Sequence, residues 1–203
     1  MQGCRDCCTL PEILSMRNTF LTIAPMLLSA SLSAQGVFSN KTQVVLEKVI
    51  QDYPNHFYNI KGELLSQALQ TSRYRSTLQL PGSASSTITV ATGNEGSGWT
   101  CTVLETKNFV EARAKYATIY SQLSNSIITT AGQKTFILSG QYENPAEEKK
   151  STCIIFSLLP GVGDMKKLKV ELALKEEGSN WKILLCVEDK DLKEEAQGAI
   201  TAN

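Results

Sequence analysis

Histidine occurs once in these 203 residues, at His56. That scarcity excludes a histidine-built metal site, and it obliges any Ser-His-Asp or Cys-His nucleophile to work through this one side chain. An excess of charge is missing too: Lys plus Arg and Asp plus Glu both number 20, for a formal net charge of zero. Nucleic-acid binders carry basic stripes and anionic-membrane binders carry cationic clusters, so neither partner is expected. The nearest thing to a basic run, Lys166-Lys167-Leu168-Lys169, is answered at once by Glu171. No apolar run reaches the roughly 20 residues that a membrane-spanning helix requires. With 42% hydrophobic and 20% charged residues and no long low-complexity tract, the composition is that of one folded domain with a real core.

What is present begins with an export signal. Met16-Arg17-Asn18-Thr19 is a short positive start, Phe20 to Leu28 is nearly all apolar, and Ser29-Ala30-Ser31-Leu32-Ser33-Ala34 is rich in small residues. This three-part layout reads residues 16–34 as a cleavable secretory signal and puts the mature start near Gln35, in the periplasm or outside the cell. Leu32 is larger than the residue preferred three positions before a cut, so cleavage after Ser33 stays open. Residues 1–15 read as an upstream extension from an early start codon. Their Cys4, Cys7 and Cys8 could share a zinc ion only with a second ligand pair beside them. In the mature chain Cys101, Cys153 and Cys186 lie in apolar, strand-like runs. Buried thiols and one disulfide with a free thiol are both open readings.

The chain also says the same thing twice. Phe57-Tyr58-Asn59-Ile60-Lys61-Gly62, Ser76-Thr77, Leu80-Pro81-Gly82 and Glu95-Gly96-Ser97-Gly98-Trp99 follow one another in the first half. Phe136-Ile137-Leu138-Ser139-Gly140, Ser151-Thr152, Leu159-Pro160-Gly161 and Glu177-Gly178-Ser179-Asn180-Trp181 follow in the same order in the second. Each half opens with helical periodicity. Val45, Leu46, Val49, Ile50 and Tyr53 form one stripe over 41–53, which Pro54 stops. Phe109, Ala112, Tyr116, Ile119, Tyr120 and Leu123 form the other over 109–123. Asn40 with Gln43, and Asn108 with Glu111, have the spacing of an N-terminal cap. Beyond each helix the period falls to two, as in Leu168, Val170, Leu172 and Leu174 alternating with Lys169, Glu171, Ala173 and Lys175.

The expected fold is therefore α+β: two tandem α-β-β-β-β repeats, 41–107 and 108–190, forming a curved antiparallel sheet of about eight strands with two helices on one face. The exported domain is 35–203, with 191–203 as a tail. This order of elements across 41–190 resembles the doubled helix-plus-sheet layout of the TATA-binding protein and of the secreted beta-lactamase inhibitor protein, and fold alone implies no function. The run Tyr53-Pro54-Asn55-His56-Phe57-Tyr58-Asn59-Ile60-Lys61-Gly62 behind such a signal resembles uncharacterised secreted bacterial proteins, a resemblance that implies no activity.

No cofactor motif is read. Gly161-Val162-Gly163-Asp164 precedes a strand rather than a helix, which rules out a phosphate loop. Glu147-Glu148 and Glu176-Glu177 read as solvated turns rather than paired catalytic carboxylates. Trp99 and Trp181 read as strand anchors in the core. His56, Tyr58, Tyr74 and Tyr142 are the candidates for contact with an unknown protein or small ligand. The functional expectation is a non-enzymatic binding module using the polar face of its sheet. The alternative is an envelope hydrolase centred near His56.

Overall fold

A computed structural model describes residues 40–91, 96–130 and 134–189. The expected signal, the upstream cysteines and the tail fall outside the described residues. Helix α1, Lys41–Asp52, is capped as its sequence predicts: the Asn40 side chain accepts the Gln43 N–H at 3.3 Å. It buries Leu46, Val49 and Ile50. Tyr53 belongs to a following 3₁₀ turn, Tyr53–Asn55, rather than to the helix. Strands β1 Lys61–Gln67, β2 Thr71–Ser76, β3 Ser85–Ala91 and β4 Ser97–Thr106 follow.

Helix α2 spans Phe109–Leu123, and Asn108 accepts the N–H groups of Val110 and Glu111. The Glu111 carboxylate turns to the Thr106 hydroxyl at 2.6 Å rather than back to the cap. Strands β5 Ile127–Thr129, β6 Thr135–Ser139, β7 Ser151–Leu159, β8 Leu168–Glu177 and β9 Asn180–Asp189 complete the fold.

The protein is α+β, with two helices and one antiparallel sheet of nine strands in the order β1-β2-β3-β4-β9-β8-β7-β6-β5. The ninth strand, against about eight expected, is β5. After α2 the chain reverses at Asn125, which has φ 61, and lays three residues beside β6. One face of the sheet joins both helices in a single core. Ala112, Tyr116, Ile119 and Leu123 of α2 pack with strands β4, β8 and β9. Trp99 is fully buried and donates its indole N–H to Ser76 Oγ at 3.0 Å, while Trp181 packs on Phe109 with ring centroids 4.8 Å apart. Both tryptophans are core anchors. Gly140 fits only as glycine, because a Cβ there would lie 2.6 Å from the buried Phe156 ring.

Edge strands expose unpaired backbone groups that invite pairing with other chains. The outer edge of β5 is closed by α1. Gln43 Nε2 donates to Ile127 O at 3.0 Å, Gln51 Nε2 donates to Thr129 O at 2.7 Å, and Glu47 Oε1 accepts the Thr129 N–H at 2.9 Å. These three residues recur every fourth position, so they lie along one side of the helix.

Candidate functional site

The loop that carries two of the four candidate residues is organised by a buried carboxylate. Asp52 accepts hydrogen bonds from the backbone N–H groups of Asn59 at 3.0 Å and Ile60 at 3.3 Å, and from the side-chain amides of Asn55 and Asn59. Held this way, the chain passes through left-handed conformations at both His56 (φ 53) and Phe57 (φ 59). That geometry is rare for a bulky residue. It drives Phe57 into the core and leaves His56 and Tyr58 in solvent.

Lys61 Nζ stands 4.9 Å from the Tyr58 ring centroid and 4.6 Å from that of Tyr74. The structure thus brings Tyr58 and Tyr74 together around one ammonium group. Tyr74 is half-buried rather than exposed, since its side of β2 continues the core. Tyr142 is elsewhere, its ring tilted against that of Tyr120 with centroids 4.8 Å apart. His56 joins neither group.

The sheet face opposite the helices has three zones. On the β2–β4 side, Arg73 lies opposite Thr89, and Thr89 opposite Gly98; Arg75 lies opposite Thr87, and Thr87 opposite Thr100. Both arginines are exposed. In the middle, Lys169 pairs with Glu171 at 3.3 Å and with Glu188 at 3.0 Å, and each of the three side chains is close to nine-tenths buried. On the β5–β7 side the surface is aliphatic. Ile127 is opposite Ile137, Ile137 opposite Leu159, and Ile155 shares the strand face of Leu159. All four are about half exposed. The face is therefore polar only in part, a correction to the uniform polar surface expected. Sequence reading missed Arg73 and Arg75, although Thr71, Arg73 and Arg75 alternating with Ser72, Tyr74 and Ser76 carried the signal.

Cys101, Cys153 and Cys186 are all free thiols. Cys101 shares its core-facing side of β4 with Trp99, whereas Cys186 points to the opposite sheet face, opposite Thr100. Cys153 is on that second face too, but β8 separates it from β9, about 10 Å in strand spacings. That separation exceeds what a disulfide can span. Cys153 is exposed, which corrects its reading as a buried hydrophobe. Burial pushes the Cys101 thiol pKa up, partly offset by hydrogen bonds with Ser83 and Leu80, so it stays protonated and inert. With native residues 35–203, a maleimide reagent is expected to modify Cys153 quickly and Cys101 only on unfolding, as peptide mapping by mass spectrometry would report. Fast labelling of Cys101 would contradict the burial described.

Among the described residues, cavities open on the surface at three places of note. The first, of about 520 Å³, lies among the start of α1, one side of α2 and the Leu80-Pro81 loop. The second, of about 260 Å³, is lined by Gln51, Pro54, Phe136 and Met165 among others, and the third, of about 410 Å³, by Tyr142, Glu143 and Cys153 among others. His56 lines none of the three. Among the described residues there is no group of three or more His, Cys, Asp or Glu side chains placed to hold a metal ion. Among them also, no helix is long and apolar enough to cross a membrane.

No protein-family model matches the chain, and no curated protein does. One solved structure is similar, the extracellular domain of PknH from Mycobacterium tuberculosis. It shares 13% identity over 52% of this chain and 55% of its own, with a TM-score of 0.29. The present chain therefore spans about half of that one. A likeness at this TM-score bears on neither fold nor function.

Proposed function

We propose that this chain is an exported, non-catalytic interaction module whose protein partner docks on the sheet face opposite the helices. The observation that carries the reading is the zoning of that face, with two exposed arginines on a hydroxyl-rich half and four half-exposed aliphatic side chains on the other. Arginine and apolar contacts beside a polar rim are the ingredients of protein interfaces. Contiguous exposed aliphatic surface marks such sites on soluble proteins. Export follows from the signal read in residues 16–34. The reading extends to architecture: the two halves are a duplicated unit forming a curved sheet, with β5 an addition to the second. Its support is the strand order, which runs outward in both directions from the central pair of β4 and β9.

The test uses residues 35–203 as immobilised bait against envelope and secreted extracts. Two variants accompany it, Arg73→Glu/Arg75→Glu and Ile137→Glu/Ile155→Glu. A saturable partner that the wild-type chain retains and both variants lose is the expected outcome. An empty capture by folded bait, or a partner indifferent to both variants, overturns the reading.

A further inference from the structure

We infer that the cavity between α1, α2 and the Leu80-Pro81 loop is a binding site for a small amphiphilic anion, a carboxylate on a short apolar body. This site is distinct from the sheet face and does not depend on the role proposed for that face.

The chemistry is read from the wall. Leu80, Val103 and Ile119, each 3% exposed, supply an apolar floor that Pro81 continues. Lys41 and Lys115 supply the charge, and among the described residues the wall contains no carboxylate. Neither lysine has an ion-pair partner among the described residues. In a chain whose acidic and basic residues are equal in number, two unpaired lysines around one cavity are a local excess of positive charge. The N-terminal end of α1 adds the same sign.

The polar side of the wall is already ordered. Gln122 ties the two helices together, its backbone O accepting from Asn40 Nδ2 at 2.6 Å and its side-chain Oε1 accepting from the Thr42 hydroxyl at 2.8 Å. With that oxygen engaged, the side-chain N–H donors of Gln122 serve none of the described residues. They add neutral donors to the same wall as the two lysines. Donors without acceptors and cations without anions select a ligand that brings negative oxygen atoms. The floor selects one that also brings hydrocarbon. Inorganic phosphate would leave the floor unused, and an uncharged lipid would leave the lysines unused. At about 520 Å³ the cavity falls within the usual range for small-molecule sites, roughly 300–1,000 Å³.

Decanoate is a suitable probe, with decanol and decylammonium as matched controls for charge. Residues 35–203 would be titrated with each by calorimetry at physiological salt, and the contact mapped by amide chemical-shift changes. Saturable decanoate binding is expected, with shifts at Val103, Ile119 and Gln122, weaker binding of decanol and none of decylammonium. Lys41→Gln/Lys115→Gln should weaken decanoate about tenfold or more, on the scale of lost charge-assisted hydrogen bonds. Ser121→Trp fills the mouth from an exposed position, so it spares the core and should abolish binding. Arg73→Glu/Arg75→Glu should leave decanoate affinity unchanged, which separates this site from the sheet face. The inference is overturned if folded protein takes up no decanoate saturably, if decanol binds as well as decanoate, or if neither cavity variant changes the affinity.

Discussion

Replacing Lys169 by Met should cost the fold about 3–5 kcal/mol, the usual range for removing one partner of a buried ion pair. Lys169 stands between two carboxylates, Glu171 two residues along β8 and Glu188 directly across on β9, all three nearly removed from water. The ammonium bridges both carboxylates, so losing it takes a partner from each. Each then loses an ion pair in a region where desolvation of a charge is costly. Removing one carboxylate is a smaller change. In Glu171→Gln the lysine keeps its nearer partner, Glu188, at 3.0 Å. Equilibrium urea unfolding of residues 35–203 would measure both variants, and the triple change Lys169→Met/Glu171→Gln/Glu188→Gln should recover most of the loss. A Lys169→Met midpoint equal to that of the parent would show that these charges do not constrain the fold.

Asp52→Ala should cost about 3 kcal/mol, on the scale of buried donors left without a charged acceptor. One carboxylate satisfies two backbone N–H groups and two side-chain amides, and Asp52 is only 6% exposed. Its loss orphans the Ile60 N–H inside the protein. It also removes the clamp that holds His56 and Phe57 in left-handed backbone, which costs on the order of 1–3 kcal/mol per residue to maintain. The loop should relax, withdraw Phe57 from the core and separate Tyr58 from Lys61 and Tyr74. Asp52→Asn, which keeps one acceptor oxygen, should fall between Ala and the parent. Urea midpoints give the energies, and hydrogen exchange at the Ile60 amide reports the loop directly. Unchanged protection of that amide in Asp52→Ala would refute the clamp.

The two helices were legible because each bears an apolar stripe of the right period and an asparagine cap, and because Pro54 punctuates the first. The β8–β9 hairpin was legible from its alternation and from Gly178, which has φ +66 at the turn. Strand β5 was not, since three residues are too few to establish a period. The run from Cys153 to Leu159 misled for another reason. It is apolar at nearly every position, which reads as burial on both sides, yet its exposure alternates strictly along the strand. Position in the sheet decides that, because β7 lies near an edge where only the helix-facing side is covered. Nothing in the sequence singles out Asp52. Its role depends on donors seven and eight residues away, arranged by a loop whose left-handed turns no glycine announces.

The sealing of β5 by Gln43, Glu47 and Gln51 sets a limit on how copies of this chain can assemble. Strand addition needs a free row of backbone groups on each participant, and one of the two sheet margins has already spent its row on the helix. At the other end of the strand order, the β1 margin of the described residues is kinked by shifts in its pairing with β2. Two copies meeting there would use up the β1 margin of both, so the arrangement would be symmetric and self-terminating. A fibre built by strand addition requires unlike ends that repeat indefinitely, and the helix blocks β5 from serving as one of them.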